Sequence, residues 1–171
     1  MINEELNIEL RNYISENYYP KEYRMKICSS IKLDKDESSI PTLGSLSCSY
    51  SLSELPELDE SFSEMLLRKI DEKGMKDSEC YNKALIDRRL FSKIRSDKNY
   101  SPSKKTAIAL ALALELEEDD FYDLLSKAGF TLSNSNLFDV IIRFFIEKGV
   151  YDISTIDEYL LDNDQETIAK Y

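Results

Sequence analysis

The residues with the clearest chemical potential are the basic side chains of one short stretch, residues 87–105. This stretch contains seven basic and two acidic side chains, whereas residues 106–171 contain four basic and fourteen acidic ones. Arginine can donate two hydrogen bonds to guanine in the major groove of DNA, and both lysine and arginine contact phosphates. The stretch therefore predicts a local contact with nucleic acid in a chain of net charge −11, whose average surface repels DNA.

We expect this contact to involve two groups of residues. Asp87 is placed to cap a helix that begins at Arg88 and turns Phe91 and Ile94 towards the core. The side chains predicted to contact base edges lie on the opposite face and are Arg88, Arg89, Ser92 and Lys93. The side chains predicted to contact flanking phosphates are Arg95, Lys98, Lys104 and Lys105, and the backbone N–H groups at the helix start near Ser103 are predicted to be a further phosphate site. The alternative is that these residues form a solvated basic face on a protein-interaction module.

Catalysis is not expected of this chain. Histidine is absent, which excludes imidazole bases, Ser-His and Cys-His pairs, and zinc sites that need a histidine ligand. Cys28, Cys48 and Cys80 are widely spaced and indicate neither a disulfide framework nor a structural zinc site, and Cys80 is expected to be a small apolar contact. The acidic residues 115–123 lack the spacing of a calcium loop. We predict a protein that is not an enzyme and that has no cofactor or metal.

The spacing of apolar residues predicts an all-α fold. Residues 1–27 are expected to form an amphipathic helix followed by a short extended segment. Residues 28–60 are rich in serine and acidic side chains and are predicted to be a linker, and residues 61–171 are predicted to be a helical domain. Within that domain, the apolar run of residues 107–114 is expected to lie at the centre of the core, which residues 137–145 share.

Capping motifs predict where the helices of this domain begin and end. Ser61 with Glu64, and Ser154 with Asp157, have the spacing of a capping box, and Ser103 is a candidate N-cap. Three glycines each follow a helix whose last turn contains lysine, as expected for C-caps: Gly74, Gly129 and Gly149. The capping pattern thus predicts several short helices in close succession.

The first helix of the chain is expected to need a partner. Its apolar side chains, Leu6, Leu10, Tyr13 and Ile14, lie on one face, and a helix of this length is marginal when isolated in water. We expect this face to dock on a second copy of the chain or on another protein. We also expect this helix to be dispensable for the folding of residues 58–166.

Residues 77–97, DSECYNKALIDRRLFSKIRSD, resemble the helix-turn-helix of the Cro/CI repressor-like (XRE) family, and the following PSKKTAIALALALELEEDDFYDLL resembles the next helices of that family. Ala84 matches the small residue where the first two motif helices cross, and Ile86 matches the buried residue after the turn. The resemblance implies a lambda-repressor-like domain, here with a C-terminal two-helix extension and a tethered N-terminal helix. Leu85 occupies the position of the family's usual turn glycine, so we expect the turn to be rebuilt or widened.

Residues 58–166 resemble, more closely, an XRE-like module common in clostridial-type bacteria. The phrases that carry this resemblance are LDESFSEMLLRKIDEKGM, IDRRLFSKIRSDKNYSPSKKTAIALALALEL and LFDVIIRFFIEKGVYDI. In those bacteria the module occurs alone or beside unrelated domains. The resemblance therefore implies a fold but no particular biochemical role.

The basic residues and the family resemblance together predict a sequence-specific DNA-binding transcriptional regulator that acts as a dimer in the cytoplasm. No membrane association is expected, because the longest apolar stretch, residues 107–114, is far shorter than the roughly 20 residues that a membrane span needs. The alternative is a non-enzymatic adaptor or inhibitor on an XRE-like fold, acting in phage defence or counter-defence.

Overall fold

A computed structural model describes residues 3–20 and 60–169 of the chain. Every regular element in these residues is an α-helix, which confirms the all-α prediction. In chain order the helices are α1 (Glu4–Asn17), α2 (Phe62–Glu72), α3 (Asp77–Lys83), α4 (Arg88–Ser96), α5 (Lys104–Ala113), α6 (Glu118–Lys127), α7 (Leu137–Glu147) and α8 (Ile153–Asp162). The extended segment and the linker predicted within residues 21–59, with Cys28 and Cys48, lie outside the described residues.

Three helices begin at the N-caps that the sequence predicts. At the start of α2, Glu64 N–H donates to Ser61 Oγ (3.3 Å) and Ser61 N–H donates to Glu64 Oε2 (3.1 Å), so the capping box is formed. Asp87 Oδ1 accepts from Arg89 N–H (2.6 Å) at the start of α4. Ser103 Oγ caps α5 by accepting from Thr106 N–H (3.2 Å). These short-range bonds fix where α4 and α5 begin.

The capping box predicted at Ser154 and Asp157 is wrong. Helix α8 begins at Ile153, two residues earlier than a cap at Ser154 requires, and Asp152 Oδ2 accepts from Thr155 N–H (2.8 Å). Asp157 is only 2% exposed and lies on the inner face of α8. Its carboxylate accepts hydrogen bonds from the buried backbone N–H groups of Ile168 and Ala169. Buried N–H groups require a hydrogen-bond acceptor, and Asp157 serves them instead of capping α8.

Helix α5 forms the centre of the domain. Residues 107–114 are between 0 and 3% exposed, as the sequence predicts, and α5 packs against α3, α6 and α8. Leu112 of α5 and Phe144 of α7 belong to one continuous apolar cluster, which confirms the shared core. Burying each large side chain of this kind contributes about 1.5–3 kcal/mol. None of the helices in residues 3–20 and 60–169 is long and apolar enough to cross a bilayer.

The turn between α3 and α4 keeps the tight geometry expected of a glycine, although Leu85 occupies it. Leu85 has a φ of 53°. Its N–H donates to Asn82 O (3.2 Å) and Ile86 N–H donates to Tyr81 O (3.1 Å), which is the hydrogen-bond pattern of a Schellman motif. The expectation of a rebuilt or widened turn is therefore wrong, because these two bonds offset a left-handed penalty of about 1–2 kcal/mol.

Helix α1 packs antiparallel on α7 of its own chain. Leu10 is fully buried, and the Tyr13 ring lies 5.3 Å from the Phe144 ring. The remaining apolar residues of this face, Leu6 and Ile14, are partly buried against the same core. The prediction that the face docks on a second copy or another protein is wrong, because the face is covered by its own chain.

Polar contacts reinforce this packing along the whole length of α1. Tyr13 Oη donates to Glu147 Oε1 (2.6 Å), and Lys148 Nζ lies 2.6 Å from the Glu9 carboxylate. Beyond the helix end, Tyr19 N–H donates to Asn134 O (2.8 Å). Burial and the bond to the Glu147 carboxylate raise the pKa of Tyr13 well above its ordinary value. Helix α1 is thus an integral part of the described fold.

Candidate nucleic-acid interface

The exposed face of α4 holds the residues predicted to contact bases. Phe91 and Ile94 are 3% and 0% exposed and anchor the inner face of the helix in the core. The predicted base contacts on the outer side are all exposed: Arg88, Arg89, Ser92 and Lys93. Because residues three and four apart share a helix face, the two buried side chains dictate this orientation.

Three cations on this face have no protein partner in the described part of the chain. Arg88, Arg89 and Lys93 form no ion pair and no side-chain hydrogen bond with any residue in 3–20 or 60–169. Asp87, the acidic residue that directly precedes α4, accepts a hydrogen bond from the Arg89 backbone N–H. The face is therefore positive and its donors are free for a ligand that supplies acceptors.

A polar cleft of about 520 Å³ lies between α4 and the start of α3. Lys76, Ser78, Arg88, Ser92 and Arg95 line it, and so do two carboxylates, Asp71 and Asp77, of which Asp77 is paired with Arg95. Three cations therefore face two carboxylates in the cleft, and Lys76 and Arg88 are the lining cations without an ion pair among the described residues that could bind an oxyanion such as a phosphate. Lys76 and Ser78 are not among the residues predicted from the sequence, although their position at the start of the helix that precedes α4 points to this surface.

Two residues predicted to contact phosphates are paired at the edges of α4. Arg95 forms an ion pair with Asp77, and Lys98 Nζ lies 2.9 Å from Glu64 Oε1. The Ser61 backbone N–H, together with Lys98, lowers the pKa of Glu64 from 4.5 to about 2. All four side chains of these pairs are at least 38% exposed, so both pairs can exchange with solvent and ions.

The two lysines at the start of α5 are paired with distant parts of the chain. Lys104 Nζ donates to Asp139 Oδ2 (2.7 Å), and Asp139, which is 1% exposed, also accepts from Ser133 N–H (2.9 Å). Lys105 Nζ donates to Glu166 Oε2 (2.8 Å), and this ion pair lowers the pKa of Glu166. All four side chains predicted to contact phosphates are thus ion-paired, and Ser103 Oγ caps α5.

The other residue groups considered in the sequence have structural contacts. Cys80 is fully buried, and desolvation raises the pKa of its thiol to about 12, which suits a small apolar contact. Glu115 lies 2.9 Å from Lys83 Nζ, and Asp120 lies 2.7 Å from Lys69 Nζ. The part of the chain that the structure describes contains no group of three or more side chains arranged to hold a metal ion.

Comparisons of this chain with protein-family models, with curated proteins and with solved structures found no match.

Proposed function

We propose that this chain is a sequence-specific DNA-binding transcriptional regulator of the XRE type, with α4 in the major groove of DNA. The observation that carries the proposal is the outer face of α4, where Arg88, Arg89 and Lys93 are exposed and have no partner among the described residues. Unpaired cations on a single helix face retain their full capacity to bind base edges and phosphates.

The helices around α4 support a helix-turn-helix interpretation. Helix α3, the tight turn at Leu85 and helix α4 follow one another directly, and α5 packs beneath α3. An α-helix with its side chains is about 10–12 Å in diameter, and the major groove is about 12 Å wide. Helix α4 is therefore the right size to enter the groove with its exposed face towards the bases.

The proposal assigns separate roles to the residues of this surface. Arg88 and Arg89 contact base edges, since they lie in the first turn of α4, where recognition helices of this kind contact bases. Lys93, which the sequence places among the base contacts, is assigned in this proposal to a phosphate because it lies beyond the first turn of α4, and Lys76 and Ser78 contact a second phosphate in the cleft beside α3. The protein acts in this proposal as a non-enzymatic dimer, because one short helix reads few base pairs and two half-sites about 34 Å apart supply the remaining specificity.

Selection of duplexes from a random pool, followed by electrophoretic shifts, tests this function. Arg88→Ala is expected to cost about 1–3 kcal/mol on the selected site and to relax preference there. Arg11→Ala is the matched control, because Arg11 is an exposed, unpartnered arginine on α1, away from α4. Failure to enrich any sequence contradicts the function, and an equal loss on selected and random DNA contradicts the role of Arg88.

A second candidate function is a protein-interaction adaptor or inhibitor on the same fold, in phage defence or counter-defence. The observation that favours it is the pairing of Arg95, Lys98, Lys104 and Lys105 with the chain's own carboxylates, which leaves fewer cations for phosphates. In that case the face of α4 binds an acidic protein surface. Co-purification of a stoichiometric protein without DNA, abolished by Arg88→Glu, supports this candidate.

A further inference from the structure

The C-terminal segment of residues 163–169, here called the C-terminal strap, lies across the start of α5. Its last two residues, Ile168 and Ala169, are 4% and 6% exposed and belong to the apolar core. Both line a groove of about 230 Å³, together with Leu90 of α4 and Lys105 of α5. The strap therefore reaches the place where the first turns of α4 and α5 meet.

Hydrogen bonds hold the strap in this position. The buried Asp157 carboxylate accepts from Ile168 N–H (2.7 Å) and from Ala169 N–H (3.2 Å). At the other end of the strap, Gln165 N–H donates to Leu160 O (2.8 Å). Bonds from a buried carboxylate to backbone N–H groups are among the stronger ones in proteins, so the strap is a fixed part of the domain.

The strap presents two oxygen atoms to Lys105. Lys105 Nζ donates to Glu166 Oε2 (2.8 Å) and to the carbonyl oxygen of Thr167 (2.7 Å). This environment resembles the one that DNA phosphate oxygens would provide. Resting on the DNA-binding function proposed above, we infer that the strap is an autoinhibitory contact that binds Lys105 in place of a DNA phosphate.

The two lysines at the start of α5 differ in how readily they can be released. The Glu166 side chain is 87% exposed, so its ion pair with Lys105 is screened by water and salt. The Asp139 side chain is only 1% exposed, so releasing Lys104 leaves a carboxylate buried without its counter-charge. Lys105 is therefore the lysine that can exchange between the strap and DNA, because its exposed ion pair is weak and its other strap partner, the Thr167 carbonyl oxygen, is uncharged. Lys104 stays with the fold.

Glu166→Gln tests this inference in the full chain. We expect the variant to bind a 20-base-pair duplex of random sequence about two- to fivefold more tightly at low salt, because an exposed ion pair competes with phosphate at this level. The dependence of log affinity on log salt between 50 and 200 mM is expected to steepen by about 0.9, the value for one additional phosphate contact. Asp119→Asn is the matched control, because it removes an exposed acidic charge that has no contact with Lys105.

Lys105→Ala completes a double-mutant cycle. The inference requires that Lys105→Ala abolish the gain from Glu166→Gln, and thermal melts are expected to be unchanged by Glu166→Gln since its side chain is exposed. A gain that persists without Lys105, or an equal gain in Asp119→Asn, overturns the inference. No gain in Glu166→Gln, with Arg88→Ala still losing the selected site, overturns the inference and leaves the proposed function intact. Absence of duplex binding in both wild type and Glu166→Gln overturns both.

Discussion

Two groups of basic residues lie within residues 88–105 and differ in what surrounds them. On the outer face of α4, Arg88, Arg89 and Lys93 form no ion pair and no side-chain hydrogen bond in the described part of the chain. Flanking α4 and at the start of α5, each of the remaining basic residues is paired with a carboxylate: Arg95, Lys98, Lys104 and Lys105. The two groups consist of the same residue types in the same short stretch, so within the described residues only the presence of a carboxylate partner distinguishes the cations that are free from those that are engaged within the chain.

The physical contrast is sharpest between Arg88 and Lys104. Arg88 is exposed and borders an open cleft, so its removal leaves no buried group without a partner. Lys104 neutralises Asp139, which is buried among apolar side chains of α7. Substitutions of the two residues should therefore affect different measurements, the first DNA affinity and the second the free energy of unfolding.

The largest effect is expected from a substitution in α1, which lies away from both groups of basic residues. It should lower the free energy of unfolding without changing DNA affinity. Leu10→Ala in α1 is expected to lower the free energy of unfolding by about 2–5 kcal/mol, because Leu10 is fully buried against α7. Urea denaturation measures this loss. Below the melting transition the affinity for duplex DNA should be unchanged; a parallel loss of affinity would mean that α1 takes part in binding.

Lys104→Met is expected to cost about 2–4 kcal/mol of unfolding free energy, because it leaves the Asp139 carboxylate buried without its cation. The matched control is Lys98→Met, whose pair with Glu64 is exposed and screened by solvent, so its loss should change the free energy of unfolding far less. Chemical denaturation of the two variants checks the comparison. Equal losses would show that burial does not distinguish the pairs.

Lys93→Ala and Lys105→Ala compare an unpaired lysine with a paired one in DNA binding. Lys93→Ala is expected to weaken binding to all sequences and to reduce the salt slope by about 0.9, since one phosphate contact is lost. Lys105→Ala should change the slope by less, because the strap already occupies Lys105. Fluorescence anisotropy over a series of salt concentrations measures both slopes, and equal reductions would contradict the division into two groups.

The smallest expected effect is a dependence of stability on pH that arises from Glu64, the carboxylate partner of Lys98 in the paired group. The pKa of Glu64 is about 2 in the folded protein and 4.5 ordinarily, so its contribution to stability is present above pH 4.5 and is lost as the pH falls towards 2. Glu64→Gln should therefore flatten the decrease in the urea midpoint between pH 4.5 and 2. Arg88→Ala, the control from the unpaired group, should leave the decrease unchanged.

The sequence by itself determined the helices and the outward face of α4. Ser61, Asp87 and Ser103 cap their helices as predicted because capping involves residues two or three positions apart. Phe91 and Ile94 are three residues apart, so burying both directs Arg88 and Arg89 outwards. The spacing of local side chains contains all the information that these features require.

Only the tertiary structure decided which cations remain unpaired. Lys104 and Lys105 meet carboxylates 35 and 61 residues further along the chain, and no periodicity connects those positions. The docking of α1 on α7 was also undetermined, because an apolar helix face fits any complementary apolar surface, whether of its own chain or of another. Partners distant in sequence are chosen by packing, and packing exists only once the helices have assembled.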